Sequence, residues 1–463
     1  MQEKVMNRWL VVAGTLIIQI SLGAVYIWSV FQAPLKEVFP TWTGSQVTYP
    51  ANIVLAVFAL AVIIAGRVQD KIGPRWVTTF GGLVLGAGLI LARFTGDMAP
   101  STALTWLIFT FSVLGGAGIG AAYVCPVATC IKWFPDKRGL TTGLAVAGFG
   151  AGAIFFAPLA KALISGGPYK LTILGLRLSL FDLPKVGIFN TFAVLGAIFL
   201  VAVVLGAQLL INPPVGWKPA GWNPPRPAAG SAARRADYNW HEMLATPQFY
   251  VIWLMYFFAC AAGLQVIMKA SPAMQSLFLG RFDAIAADQV SDAGAAGASL
   301  VAGIAVFNAT GRIIWGKVSD ALGRMLTLAG AFLLCALSLL FIDRSDASLT
   351  AFSYVVGFCF GGFLAIFPAI TADYFGTKNL GVNYGFVFSA YGAGGLLGPQ
   401  LAAYFMTNGK SFTYAAMEKG LACTKNFVCQ SYHGAFLVAA VLCALGAALT
   451  FVVRAPRPKE QHS

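Results

Sequence analysis

Runs of about twenty apolar residues recur along this whole chain, each long enough to cross a ~30 Å hydrocarbon layer as a helix. Twelve are legible, roughly 9–31, 47–67, 76–95, 102–131, 139–163, 186–211, 247–272, 297–316, 325–343, 348–372, 380–406 and 432–454. The first, Trp9–Phe31, is too long for a signal-peptide core and lacks a small-residue cleavage site, so it reads as a membrane helix. Of 463 residues only 10% are charged, against about 25% in an average soluble domain. Such a chain cannot cover a water-facing surface. The sequence predicts an all-α membrane protein of twelve transmembrane helices.

A Pro-rich stretch, residues 212–246, contains Pro213, Pro214, Pro219, Pro224, Pro225 and Pro227 and reads as a linker. It divides the chain into a six-helix bundle over 1–211 and a second over 247–463 that ends in a tail. Basic residues set the topology. With both termini inside, 18 of the 31 Lys and Arg fall on the cytoplasmic side and 11 outside, leaving Lys269 and Arg312 within spans. The net charge of +14 is then mostly a topology signal, and no nucleic-acid partner is needed to explain it. The bilayer is the expected surrounding, in the cell (inner) membrane, with the chain a monomer.

The halves repeat each other. Gly66-Arg-Val-Gln-Asp70-Lys-Ile-Gly73-Pro-Arg75 follows the second span, and Gly316-Lys-Val-Ser-Asp320-Ala-Leu-Gly323-Arg324 follows the eighth, with the aspartates 250 residues apart. Farther on, Trp133-Phe-Pro matches Tyr374-Phe-Gly and Phe156-Ala-Pro158 matches Leu397-Gly-Pro399, both at an offset of 241. A parallel repeat of six spans is a transporter architecture, with substrate held at mid-membrane between the halves. Asp70, Arg75, Asp320 and Arg324 are expected to latch the cytoplasmic helix ends.

Arg312 is the most informative side chain. It stands in the apolar run Ser299–Trp315, where a charge costs about 2.5–3.5 kcal/mol on insertion scales and normally faces a cavity or partner. Asp320, eight residues on, is about 12 Å farther along the helix. A snorkelling anchor therefore competes with a substrate role. The repeat position 250 residues earlier is Val62, an asymmetry that an anchor does not explain. Guanidinium stays charged and grips a carboxylate with two parallel bonds. Asn308 lies one turn away on the same face, placed to orient Arg312 or to donate to substrate.

The paired G-x-x-x-D loops resemble the signature of the major facilitator superfamily. Gly23-Ala-Val-Tyr26-Ile-Trp28-Ser, Trp133-Phe-Pro-Asp-Lys-Arg-Gly139, Met243-Leu-Ala-Thr-Pro-Gln-Phe249 and Asn383-Tyr-Gly385 narrow the resemblance to the oxalate:formate antiporter and monocarboxylate transporter branch. The resemblance carries that branch's substrate-binding arginine onto Arg312. It implies aromatic cavity residues at Tyr26, Trp28 and Tyr123, and tenth-span positions at Phe360 and Leu364, where oxalate carriers have larger polar aromatics. Tyr391 stands where oxalate exchangers have a lysine, and its repeat partner is Gly150. Two cations suit a dianion; an arginine with a phenol suits a monoanion. Related monocarboxylate carriers can have a proton-coupling aspartate where this chain has Asn308.

Lys269 reads as an outer-interface residue, with attraction of anions as its sharper role. Cys423 and Cys429 in the outer loop 407–431 could pair in an oxidising compartment. No cysteine pair has metal-ligand spacing, no phosphate-binding loop appears, and His241, His433 and His462 lie outside the spans, so neither a cofactor nor an enzymatic role is expected. A channel fits the twofold repeat less well than alternating access does. The expectation is a secondary carrier of small monocarboxylates such as lactate, pyruvate or formate, coupled to protons. The alternative is an exchanger of the oxalate:formate type.

Overall fold

The computed structural model describes residues 6–173, 176–214, 216–219, 221–222, 237–418, 421–454 and 456. Lys4, Arg226, Arg234, Arg235, Pro224, Pro225, Pro227, Arg457, Lys459 and the side chain of Cys423 lie outside what is described.

Twelve long helices follow one another as α1 (Arg8–Leu22), α2 (Gly44–Ile72), α3 (Pro74–Ala92), α4 (Pro100–Trp133), α5 (Arg138–Ser165), α6 (Ile188–Ala207), α7 (Pro247–Leu279), α8 (Ala287–Leu322), α9 (Arg324–Phe341), α10 (Asp346–Phe375), α11 (Leu380–Phe405) and α12 (His433–Val452). Among the described residues eleven of them are long and apolar enough to cross a membrane, by length and composition. The other, α11, is diluted by Asn383, Tyr384, Tyr391 and several glycines, yet it packs beside α2 and α7 as a full-length helix. α1 continues as a 3₁₀ segment, Gly23–Ile27, and a short helix, Ser29–Val38.

The repeated loops are repeated structures. Gly73 and Gly323 hold φ of +93° and +88°, a region open to glycine and costly for other residues, and each makes the sharp corner between one helix and the next. The halves meet chiefly along two helix pairs, α2 with α11 and α5 with α8, with α10 and α4 adding smaller contacts. Small residues let these backbones touch: Gly66 lies on the Gly381 carbonyl, and Gly139 and Gly316 lie on each other.

Two antiparallel hairpins stand where the sequence reads as plain loops. β1 (Gly167–Ile173) pairs with β2 (Leu176–Leu183) after α5, and β3 (Thr407–Glu418) pairs with β4 (Leu421–Ser431) after α11, the equivalent place in the second repeat. β3–β4 is anchored by Phe412 and Cys429, which pack with Leu279, Ile285 and Ala293. Cys423 and Cys429 lie six residues apart on one strand, a separation of about 20 Å at ~3.3 Å per residue. Their Cα atoms are thus far beyond the ~7 Å a disulfide spans. The sequence reading that allowed this bridge is corrected by the strand.

Two further boundaries move. α7 runs on through Pro272 to Leu279, so Lys269 sits ten residues inside the helix, not at its end. α8 begins at Ala287, bringing Asp288 and Asp292 into its first turns. Within the linker, Asp237 accepts from the amides of Thr377 and Lys378 at 3.0 and 3.1 Å, which pins this stretch to the corner between α10 and α11.

Candidate functional site

Arg312 is 2% exposed and lies at the contact between α5 and α8. Its Nε donates to Asn308 Oδ1 at 3.0 Å, and its Nη1 donates to the Val146 carbonyl of α5. Asn308 is fixed in turn, its Nδ2 donating to the Gly357 carbonyl of α10 at 3.2 Å. Gly150 provides the space for the guanidinium, since a Cβ there would stand 3.1 Å from Arg312 Cζ. Both acceptors are uncharged. They hold the group's direction and leave its positive charge unneutralised.

The 3₁₀ turn after α1 brings Tyr26 beside the same guanidinium. Gly23 and Gly152 let α1 and α5 approach closely just before that turn. The Tyr26 hydroxyl meets the Tyr391 hydroxyl of α11 at 2.6 Å, a hydrogen bond between the halves. Tyr123 of α4 closes one side, its ring 5.2 Å from Phe149, 5.1 Å from Phe58 and 5.0 Å from Phe388. Arg312, Asn308, Tyr26, Tyr391 and Tyr123 therefore gather around one point. Phe360 is buried on α10 against Gly263 of α7, an apolar wall of the C-terminal half.

Trp28 does not join them. Its Nε1 donates to the Val47 carbonyl at 2.9 Å, and its ring packs with Phe31, Phe111 and Phe192 inside the N-terminal half. An apolar cavity of about 30 Å³ lies among those rings, and its lining includes neither Arg312 nor Tyr391. Among the described residues no group of three His, Cys, Asp or Glu is placed to hold a metal ion.

The latch residues close one end of the molecule, the end rich in basic residues. Asp320 accepts from the amides of Gly139 and Leu140 at 2.8 and 2.9 Å, capping α5 of the other half. Asp70 does the same for α11, accepting from Gly381 and Val382 at 3.2 and 3.0 Å. An anion at a helix N-terminus satisfies free N–H groups and meets the positive end of the dipole. Arg324 binds Asp320 at 2.7 Å and Asp373 at 2.9 Å, and Arg138 reaches Asp373 from the other half.

Arg75 is placed elsewhere. It donates to Gln208 of its own half at 2.7 Å. The repeat offset of 250 pairs Arg324 with Pro74, so Arg75 is one residue late and turned about 100° round its helix. Lys132, 3.9 Å from Asp70, supplies the cation instead. Sequence reasoning passed over Lys132, the Val146 carbonyl, Gly150 as a seat for Arg312, and Phe388. The spacing Tyr384, Phe388, Tyr391 on one helical face was the available signal for the last.

The sequence profile of the Major Facilitator Superfamily matches residues 6–279 and 270–463. The oxalate:formate antiporter of Oxalobacter formigenes is 30% identical over 419 residues, 87% of this chain and 86% of that one. Monocarboxylate transporter 12-B of Danio rerio is 23% identical over 433 residues, 89% of this chain and 84% of that one. A crystal structure of a bacterial homologue of the iron transporter ferroportin, outward-facing and soaked with iron, matches with a TM-score of 0.62 at 12% identity, covering 97% of this chain and 98% of that one, a likeness of fold. The chain belongs to the major facilitator superfamily, and within it to the branch of the oxalate:formate antiporter and the monocarboxylate transporters.

Proposed function

We propose that the protein carries small monocarboxylate anions across the cell membrane by alternating access, with Arg312 as the anion's main partner. The observation that carries this reading is the buried guanidinium at the meeting of the halves, held by the neutral Asn308 and Val146 oxygens beside the Tyr26 phenol, with no carboxylate against it among the described residues. A carboxylate would add the negative charge these acceptors lack, through a bidentate bond. The basic, latched end faces the cytoplasm in this reading, so the arrangement with both latches made is the one shut towards the cytoplasm. The halves are the bundles 1–211 and 247–463, joined by 212–246.

A monoanion is favoured over a dianion because Tyr391 is a neutral phenol already bonded to Tyr26. The test is uptake into proteoliposomes over a panel of formate, acetate, lactate, pyruvate, glycolate and oxalate. Arg312→Gln protein should fold and transport none of them. Near-normal uptake by that variant would refute the assignment.

Proton-linked net movement is the preferred coupling. Asn308, on the same helix, moves with Arg312 and keeps accepting from its Nε when the halves part, so the guanidinium is not left bare as the carrier turns without an anion. The proton would travel with the substrate carboxylate. Strict exchange is the second reading, favoured by the name of the relative that exchanges oxalate for formate. A pH-sensitive dye inside the liposomes separates them: acidification during inward lactate flux with no internal anion means symport, whereas uptake that requires preloaded carboxylate means exchange.

A further inference from the structure

Between the Arg312 site and the latched end lies a polar cluster, two of whose three members the transport reading has not used. Tyr256 of α7 and Tyr384 of α11 are 0% and 1% exposed, and neither hydroxyl meets a partner in hydrogen-bonding geometry. Tyr123 of α4, from the other half, stands next to Tyr384, which stands next to Tyr256. All three rings surround Phe388, with centroids 5.0, 5.7 and 6.4 Å from it. Along α11 the order is Asp70's cap at Gly381 and Val382, then Tyr384, Phe388 and Tyr391. Tyr384 is seven residues below Tyr391, about 10 Å nearer the latch.

Unpaired hydroxyls are costly to bury, and membrane interiors offer no water to relieve them. Tyr256 makes a sound packing contact without its hydroxyl, its ring stacked on Phe367 at 4.2 Å. Phenylalanine would serve there if packing were the whole role. The three phenols also come from both halves, so parting the latched end draws α4 away from α7 and α11 and opens the space their hydroxyls face.

We propose that Tyr123, Tyr256 and Tyr384 form a second station for the carboxylate, on its way between Arg312 and the latched end. The inference rests on the carboxylate reading of Arg312 and adds to it a path. Its donors are neutral, and this suits a waypoint: an anion leaving a charged site needs hydrogen bonds that hold it less tightly than the site itself. Tyr123 borders both places, near Arg312 on one side and Tyr384 on the other.

The experiment compares wild type, Tyr256→Phe, Tyr384→Phe and the double variant in proteoliposomes, using labelled formate and labelled lactate. Formate binding to the detergent-purified protein is followed in parallel by thermal shift. Losing hydrogen bonds to a charged species should lower Vmax/KM by about tenfold or more in the double variant. The fall should be equal in both directions, as reversibility demands of a step on the path. Formate binding should stay within about twofold of wild type, because Arg312 is intact, and the unfolding midpoint without formate should change little, because the lost hydroxyls meet no partner in hydrogen-bonding geometry and lie close only to one another. Wild-type flux in the double variant would overturn the station. A lowered unfolding midpoint with lost formate binding would overturn it in favour of a structural role. Arg312→Gln is run alongside: wild-type binding and flux in that variant would bring down the underlying site, an outcome separate from either result with the tyrosines.

Discussion

Lys132 and Asp373 occupy equivalent positions in the two repeats, 241 residues apart, and carry opposite charges at equivalent latches. Among the described residues Lys132 pairs with Asp70, whereas Asp373 lies between Arg324 of its own half and Arg138 of the other. Each latch ends near neutrality by a different route. Asp373→Lys should therefore place three cations together and lower the unfolding midpoint. Adding Arg138→Asp should recover part of the loss. A double-mutant cycle on the purified protein should give a coupling of about 0.5–3 kcal/mol, and simple additivity would count against the network.

The caps themselves make a second prediction. Asp70→Asn and Asp320→Asn keep an oxygen but remove the charge facing a helix dipole, at a cost of roughly 0.3–2 kcal/mol each. The double variant should spend more time open at the latched end. Cys260 is fully buried, near the tyrosines at the centre of the molecule. In a background keeping Cys260 as the sole cysteine, a membrane-impermeant thiol reagent added at the latched end should label the double variant faster. Equal labelling rates would argue that the caps do not control opening.

Tyr391→Lys should move preference from monocarboxylates towards oxalate and malonate, since a second cation gives the second carboxylate a partner. Tyr391→Phe should instead keep the preference and lose only the bond to Tyr26. Competition against labelled formate reads both, and an unchanged order of competitors in the lysine variant would contradict the argument.

Gly150 gives a steric prediction. An added methyl would stand 3.1 Å from Arg312 Cζ, close enough to require a small shift of the guanidinium. Gly150→Ala should weaken formate binding several-fold, and Gly150→Val should abolish it with the fold retained. Full binding by the valine variant, measured by thermal shift, would show that the guanidinium has another seat.

Much of this architecture is legible in the residues, and what escapes has physical reasons. Apolar runs give the helices, because a bilayer allows few other ways to satisfy a backbone. Arg312 stands out because its repeat partner is Val62. The latch aspartates are visible in a repeated motif, but the cation opposite Asp70 is not, because Lys132 comes from another helix and Arg75 is displaced by one residue. Val146 could not have been chosen, since any residue offers the same carbonyl. The first hairpin had a readable signal, with Leu176, Leu178 and Leu180 alternating against Arg177 and Ser179, the period of a strand. The tyrosine cluster assembles from three helices distant in sequence, and only packing brings it together.

The capped helices have a mechanical consequence. α5 is gripped by Asp320 at Gly139 and Leu140, and the same helix supplies Val146 and Gly150 to Arg312. α11 is gripped by Asp70 at Gly381 and Val382, and the same helix supplies Tyr391 to Tyr26. Each is a stiff rod with its fulcrum at a cap from the other half and its far end at the Arg312 and Tyr26 contacts, about 10–15 Å apart at 1.5 Å per residue. Loosening the grip and reshaping the surroundings of Arg312 are then two ends of one lever's swing, and in the proposed function an anion that pulls on Arg312 pulls on the lock.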